Sequence, residues 1–193
     1  MSDERIPPER VRLSGLQEAQ LSALQGVEQA CAAAGLGAAA GQPPPRTLSE
    51  IVALTRDHDV YVVEADRQVA GYLAWRDEPP GVACISQISV HPDLQRFGLG
   101  TRLLEHMQDR AWGYGIRYAV ARVRQGASGA VAFFENAGFS PLGDDAPEKV
   151  RQWLEQQEAA GRPLAGTGQT VFWAPILPPE IDEGPTWDGS TGV

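Results

Sequence analysis

The middle of the chain contains short, mainly apolar runs bounded by turn residues, a pattern that predicts β-strands. These runs are Val60–Glu64, Val69–Trp75 and Val82–Val90. Residues 65–68 separate the first two runs and predict the turn of a β-hairpin. The sequence Pro79-Pro80-Gly81 precedes the third run and indicates a break between strands. We therefore expect three consecutive strands in the central part of the sequence.

Apolar residues at steps of three and four predict helices on both sides of these strands. Ser14 with Gln17, and Thr47 with Glu50, have the spacing of a capping box, which marks the start of a helix. The second box predicts a short helix that ends near Arg56. The clearest apolar stripe follows residue 98 and consists of Leu99, Leu103, Leu104, Met107 and Ala111.

The remaining patterns complete the order β-α-α-β-β-β-α-β-α-β-α-β. Further strands are predicted at residues 11–14, 116–123 and 169–174, with a short strand beginning at Phe139. Further helices are predicted at residues 128–136, with Ser128 as the cap, and at residues 147–160. Because strands alternate with helices only in the middle, this order favours an α/β fold with a mixed sheet covered by helices. We expect one domain over residues 1–174, and a tail rich in Pro, Gly and acidic residues over 175–193.

Composition and charge narrow the classes of function. The chain has 193 residues, 42% of them apolar, which suits one domain with its own core. The net charge of −9 argues against non-specific binding to nucleic acid or to an anionic membrane, since both need a cationic surface. The same charge suits a cationic acceptor. Two cysteines make no disulfide framework and no signal-like run opens the chain, so we expect a cytoplasmic location.

The segment from Ile88 to Thr101 carries the candidate chemistry. It contains Gln95-x-x-Gly98-x-Gly100 at the turn from a predicted strand into a predicted helix. Glycines let the backbone approach a ligand closely, and free N–H groups at a helix start bind phosphate. A P-loop is excluded because no lysine follows Gly100, and the dinucleotide fingerprint lacks its third glycine and its acidic residue. Taken alone, the motif also fits a plain glycine-rich connection.

Metal and thiol chemistry are not indicated. His58, His91 and His106 are scattered and lack the spacing of metal ligands, so we predict no metal. Cys84 lies in an apolar strand and is interpreted as a core residue rather than a nucleophile.

Three features together resemble the GCN5-related N-acetyltransferase (GNAT) superfamily over about Val60 to Leu142. Val90-x-Pro92 precedes the glycine-rich loop, a helix with an apolar stripe follows it, and the segment Ala130–Phe139 comes later. The resemblance implies a GNAT-like mixed, mostly antiparallel twisted sheet of about seven strands flanked by helices. It also implies acetyl-CoA as the co-substrate.

The resemblance assigns roles to particular residues. Backbone amides of the loop and helix start would hold the pyrophosphate of the cofactor, and these residues are Gln95, Arg96, Phe97, Gly98, Leu99, Gly100 and Thr101. The strand end, formed by Ile88, Ser89 and Val90, would pair with the pantetheine arm. The N–H of Val90 would stabilise the oxyanion of acyl transfer. The late helix would flank the sulfur end of the cofactor through Ala130, Phe133 and Phe134.

Two proton carriers of the family are absent from the matching positions. Many members place a glutamate on the strand before the loop, where this chain has Cys84, Ser86 and Gln87. Many members also carry a tyrosine in the late helix, where this chain has Phe134. Positioning of the reactants lowers the activation barrier by about 7–11 kcal/mol. General acid–base catalysis raises the rate by a factor of about 10²–10⁴. The substitutions therefore predict a slower reaction rather than none.

The candidates for proton transfer remain open at this point. Ser86 and Gln87 lie beside Val90 along the strand and are the polar candidates. Simple alternation puts their side chains on opposite faces of the sheet, but a β-bulge would change this. Water-relayed carboxylates are the other option, and they are Glu64, Glu78 and Glu135.

The leading hypothesis is an acetyl-CoA-dependent N-acetyltransferase that transfers the acetyl group directly to a primary amine of a small molecule or peptide. The alternative is a non-catalytic CoA-binding or regulatory module that lacks the usual Glu base and Tyr acid. A third hypothesis is a structural partner protein that uses residues 147–160 and the tail as contacts. The acceptor pocket is expected from residues 35–46 and 143–168. A homodimer is one expected assembly, because dimers are common in the family.

Overall fold

Seven strands and five α-helices make up the part of the chain that the computed structural model describes, residues 10–35, 44–162 and 167–179. The strands are β1 (Val11–Gly15), β2 (Asp59–Ala65), β3 (Gln68–Glu78), β4 (Val82–Val90), β5 (Tyr118–Arg124), β6 (Ser140–Pro141) and β7 (Gln169–Pro175). The helices are α1 (Leu21–Ala33), α2 (Leu48–Asp57), α3 (Leu99–Gly113), α4 (Ser128–Asn136) and α5 (Glu148–Ala159). This order of elements is the one predicted from the sequence.

The strands form one sheet in the order β1-β2-β3-β4-β5-β7-β6. Neighbouring strands are antiparallel except for β4 and β5, which are parallel. Helices α3 and α4 pack on one face, around Leu103 and Phe134. Helices α1 and α2 cover the other face beside β3, and α5 covers it beside β5. The expectation of an α/β fold with a mixed, mostly antiparallel sheet is confirmed.

Two of the predicted helix caps are wrong, and one is confirmed. Ser14 continues β1, where it pairs with Val62, so it starts no helix. Gln17 instead forms a capping box with Gln20 around a single 3-10 turn before α1. Ser128 is the first residue of α4 rather than its cap, and the preceding residue makes no side-chain cap bond. The predicted capping box of Thr47 with the residue three positions on is present at α2.

The ordered fold extends slightly past the predicted end of the domain. Strand β7 runs to Pro175, and Ile176 is buried in the main core. The rest of the predicted tail from residue 180, including Trp187, lies outside the described residues, as does most of the loop predicted before Arg46. Within the described ranges, no helix has both the length and the apolar character needed to cross a membrane.

A buried carboxylate ties α5 to the far end of β3. Glu78 accepts hydrogen bonds from Trp153 Nε1, from Gln157 Nε2 at 3.0 Å and from Arg76 Nε at 2.6 Å. Burial alone raises the pKa of Glu78, but the hydrogen bonds from Trp153 and Arg76 outweigh it and leave the pKa below its usual value of 4.5. The apolar face of α5, with Val150 and Trp153, therefore packs against the core of the same chain.

The depressed pKa of Glu78 predicts a loss of stability in acid. Because folding stabilises the ionised form, this contribution is complete above the unfolded pKa of about 4.5 and is lost as the pH falls through the folded value. We expect the melting temperature of the native protein to fall more steeply below about pH 4.5 than that of Glu78→Gln. Glu135→Gln, at an exposed position, is the matched control and should follow the native curve. Parallel curves for the native protein and Glu78→Gln would contradict the prediction.

Candidate active site

The sheet is split between β4 and β5. The two strands pair only where Ala83–Ile85 lies beside Ala119–Ala121. Beyond Ile85, the rest of β4 pairs with β3 alone. The N–H of His91 bonds to the carbonyl of Ala70 at 2.7 Å, and hydrogen-bonded pairs alternate along an antiparallel ladder. The N–H groups of Ile88 and Val90 therefore point away from β3, into the opening slot.

A β-bulge sits where the split begins. Ala74 pairs with Gln87, but Trp75 pairs with Ile85, so Ser86 is an extra residue on β4. A bulge bends its strand and shifts the alternation of side chains. Both Ser86 and Gln87 now point to the face that carries α1 and α2, where they bond to residues flanking α2. The expectation of opposite faces is wrong, for the reason that the sequence analysis left open.

The glycine-rich turn presents the start of α3 to this slot. Arg96 and Gly98 both adopt left-handed backbone conformations, with φ of +67° and +80°. Gly98 caps α3 without a side-chain bond, and the first helical bond runs from the Arg102 N–H to the Gly98 carbonyl at 3.0 Å. The N–H groups before Arg102 thus have no partner within the helix. Gln95 Nε2 donates to the carbonyl of Val90 at 3.0 Å, which fastens the turn to the strand.

A cavity of about 1080 Å³ joins the slot, the turn and α1. Twelve of the residues predicted for the site line it: Gln87, Ile88, Ser89, Val90, Gln95, Arg96, Gly98, Leu99, Gly100, Thr101, Ala130 and Phe133. Ser86, Phe97 and Phe134 do not. The volume is slightly above the usual range of small-molecule sites, about 300–1,000 Å³. The turn, the strand end and the late helix therefore meet at one site.

The floor of the cavity is shaped by a glycine against an aromatic ring. A Cβ at Gly100 would lie 3.1 Å from Phe133 Cε2 and 3.8 Å from Val90 Cγ2. A side chain at position 100 would therefore crowd Phe133. Its absence leaves the backbone N–H groups at the start of α3 accessible from the cavity. The close packing of α3, α4 and β4 at this point leaves room for an anion against the backbone N–H groups.

Two predicted site residues have other partners. Ser86 Oγ and His58 Nε2 are 2.8 Å apart, and His58 Nδ1 lies 3.0 Å from the carbonyl of Leu54. Burial lowers the pKa of His58, which keeps the ring neutral at pH 7. Phe134 is 4% exposed and packs edge-on against Phe133 and Phe139 in the core.

A polar network at the α1 end of the cavity was missed by the sequence analysis. Glu28, 7% exposed, accepts from Arg46 Nη1 at 2.6 Å and from the hydroxyl of Tyr72. Burial, and then Glu28, raise the pKa of Tyr72, so the phenol stays protonated as the donor. Arg46 Nη1 also donates to Gln87 Oε1 at 3.1 Å, and Gln87 Nε2 donates to Ser89 Oγ at 2.7 Å. The signal available in the sequence is spacing, since Glu28 lies four residues after the buried Leu24 and three before Cys31 on α1.

The three carboxylates proposed from the sequence all lie off the cavity. Glu64 accepts from Gln20 on the β1 side of the sheet, Glu78 belongs to the α5 cluster, and Glu135 is exposed on α4. They therefore have no direct access to a substrate in the slot.

The two cysteines remain thiols. Cys31 lines the cavity and donates to the carbonyl of Val90 at 3.3 Å, and burial followed by the charge of Glu28 raises its pKa. Burial raises the pKa of Cys84 to about 12. In the described part of the chain, no three His, Cys, Asp or Glu residues come together as metal ligands.

A split mixed sheet beside a glycine-rich strand-to-helix turn is characteristic of the acetyltransferase class. Comparison with known proteins gives the same class. The model of the acetyltransferase (GNAT) family matches residues 29–139, more than half of the chain, so the protein belongs to this family. The [ribosomal protein bS18]-alanine N-acetyltransferase of Escherichia coli strain K12 is 40% identical over 58 residues, 30% of this chain and 39% of that protein. The tRNA(Met) cytidine acetyltransferase of Aeropyrum pernix is 30% identical over 103 residues, 53% of this chain and 13% of that protein. The matches thus span well under half of these curated relatives.

Solved structures share the fold at low identity. The ribosomal-protein-S18-alanine N-acetyltransferase of Escherichia coli superposes with a TM-score of 0.61 at 20% identity, covering 89% of this chain and 98% of that one. N-acetylglutamate synthase from Neisseria gonorrhoeae, complexed with coenzyme A and N-acetyl-glutamate, gives 0.61 at 19% identity, covering 86% and 35%. An N-acetyltransferase from Thermoplasma acidophilum in complex with coenzyme A gives 0.61 at 15% identity, covering 86% and 98%.

Proposed function

We propose that the protein is an acetyl-CoA-dependent N-acetyltransferase that transfers the acetyl group directly to a primary amine of a small molecule or peptide. The observation that carries this proposal is the split of β4 from β5 beside the free start of α3, both facing one cavity. A slot lined by backbone amides suits the amide-rich pantetheine arm. A helix start whose first N–H groups have no partner within the helix suits the pyrophosphate.

The residues of the site fit the co-substrate in three places. The turn from Gln95 to Gly100, with Thr101, supplies the amides for the pyrophosphate, and the missing Cβ at Gly100 keeps them accessible. Ile88 and Val90 offer outward N–H groups for the arm, and the Val90 N–H is the donor for the oxyanion. Phe133 and Ala130 line the opposite wall. When bound, acetyl-CoA supplies an activated thioester carbonyl.

The acceptor is proposed to enter from the α1 and α2 side. The cavity there is lined by Glu28, Glu50 and Arg46, two acidic residues against one basic residue. This balance favours an amine that carries positive charge at neutral pH. The bS18-alanine relative, whose name specifies an alanine acceptor in a ribosomal protein, makes a peptide with a free N-terminal alanine a first probe. Residues 36–43 and 163–166 of the expected pocket lie outside the described ranges.

A non-catalytic CoA-binding module remains the second candidate function. The observation that favours it is the side chain at two positions: Gln87 on β4 has no carboxylate, and Phe134 lies in the core without a hydroxyl. Both candidates predict CoA binding, and turnover distinguishes them.

The test is thermal melting with acetyl-CoA or CoA, followed by an assay of thiol release over a panel of amines. At about 100 times its Kd, a ligand stabilises by about 2.7 kcal/mol, or about 5–10 °C for a domain of this size. We expect this shift with acetyl-CoA and with CoA, and a smaller one with ADP, which lacks the pantetheine arm. The panel holds an alanine-first peptide, glutamate and glycinamide.

The two steps separate the outcomes. A melting shift with thiol release above the amine-free rate supports the transferase. A shift without release from any amine supports the binding module instead. Absence of any shift at millimolar acetyl-CoA would remove both candidates.

A further inference from the structure

We propose that Glu28 of α1 binds the acceptor amine and accepts its proton, taking the role for which β4 has no carboxylate. This inference rests on the proposed transferase function. Glu28 is buried, yet it lines the cavity next to Gln87, Ser89 and Val90. The other lining carboxylate, Glu50, is exposed and hydrogen-bonded to the start of α2. Among the described residues, Glu28 is thus the buried carboxylate of the cavity.

Among the described residues, the hydrogen bonds of Glu28 leave one acceptor position open. Oε1 accepts from the Tyr72 hydroxyl and from Arg46 Nη1, and Oε2 accepts from the backbone N–H of Arg46 at 2.8 Å. Each oxygen of a carboxylate can accept about two hydrogen bonds. Oε1 is therefore full, while Oε2 has room for one more donor. An amine N–H entering the cavity is a donor of this kind.

The network links Glu28 to the strand position that the family uses. Arg46 Nη1 contacts both Glu28 Oε1, at 2.6 Å, and Gln87 Oε1, at 3.1 Å. The amide of Gln87 is not a base, whereas an ionised carboxylate can accept a proton from a donor bound to it. In this proposal the proton acceptor therefore lies on α1, in the same cavity as the β4 position that many family members use.

The other groups near the slot are unsuited to this role. Cys31, one turn further along α1, has its pKa raised by burial and by Glu28, so it remains a protonated donor. His58 is a neutral imidazole and so can accept a proton. However, neither His58 nor its partner Ser86 lines the cavity. Tyr72 donates to Glu28, and burial keeps it protonated.

The transfer step balances with Glu28 in this role. An amine that enters as the ammonium ion first loses one proton to solvent. Its neutral nitrogen then forms a bond to the thioester carbonyl carbon, and the carbon–sulfur bond breaks with its electron pair going to sulfur. The nitrogen then carries one proton too many. This proton passes to Oε2 of Glu28 and from there to solvent, while the thiolate takes a proton from solvent. General base catalysis of this kind contributes about 10²–10⁴-fold.

The experiment compares Glu28→Gln with the native protein, using glycinamide as the amine and CoA thiol release as the readout. Glutamine keeps an oxygen for Tyr72 and Arg46 but accepts no proton. We expect kcat to fall roughly 10²–10⁴-fold, with the melting shift caused by acetyl-CoA retained. Glu135→Gln, the same change at an exposed position off the cavity, should keep the native rate. Glu28→Ala should recover part of its rate with added formate, and none with chloride at equal ionic strength.

Each outcome decides one part of the proposal. A Glu28→Gln enzyme within a few-fold of the native kcat, with its acetyl-CoA shift intact, overturns the role of Glu28 and leaves the transferase. A native protein that shifts with acetyl-CoA but acetylates no amine overturns the transferase, and the role of Glu28 with it. Should Glu28→Gln fail to fold, Glu28→Asp decides instead. It keeps a carboxylate one methylene further back, so a native kcat in that variant overturns the role.

Discussion

Gly100→Leu is expected to abolish the rise in melting temperature that acetyl-CoA causes. A Cβ at this position would already lie 3.1 Å from Phe133 Cε2, and the rest of a leucine side chain has only the cavity to occupy. It would cover the N–H groups at the start of α3. A hundredfold increase in Kd would reduce a stabilisation of about 2.7 kcal/mol to about 0.4 kcal/mol at the same ligand concentration.

Gly113→Leu is the matched control for this experiment. Gly113 is the last residue of the same helix, and a Cβ there would meet nothing within 4 Å. The control should keep the full acetyl-CoA shift, since leucine favours helix more than glycine does. A full shift in Gly100→Leu would show that the start of α3 is not where the co-substrate binds.

Gly71→Val is expected to destabilise the fold at the site by about 3 kcal/mol or more. A Cβ on Gly71 would lie 2.5 Å from the carbonyl oxygen of Ser89 and 3.1 Å from the Cα of Val90. These are backbone atoms of β4, so β4 itself must move away from β3. The melting temperature should fall by about 6–12 °C, and the Val90 amide should be displaced from the slot.

Gly15→Val makes the same change in an open part of the sheet. Gly15 ends the edge strand β1, and a Cβ there would have nothing within 4 Å. We expect its melting temperature to stay close to the native value, because valine suits a strand. Equal melting temperatures for the two variants would contradict the argument from close approach.

The sequence predicts the order of elements because hydrophobic spacing depends on local geometry alone. The stripe from Leu99 to Ala111 and the run Val82–Val90 match their elements closely. The wrong cap at Ser14 has a cause that is not local. A serine before an apolar stripe has the composition of a cap, but the pairing of β1 with β2 continues through Ser14.

The functional site also has one part that could be predicted from the sequence and one part that could not. The turn from Gln95 to Gly100 is contiguous in sequence, so its chemistry could be predicted from one short segment. The network of Glu28 joins residues 18 and 44 positions away, Arg46 and Tyr72, through tertiary packing. No spacing rule connects these residues, and the bulge at Ser86 becomes visible only in the strand register.

The split between β4 and β5 bears on how this protein can evolve. The polar groups that the slot offers are main-chain amides, and most substitutions leave a main chain unchanged. Point mutations can therefore remodel the walls formed by α1 and α2, and so alter the acceptor, while the slot keeps its hydrogen-bonding pattern. Residues such as Gly71 and Gly100, where a Cβ would crowd its neighbours, are more constrained. Chains with only 15–20% identity share this fold at a TM-score of 0.61, as expected when the main chain and not the side chains supplies the slot.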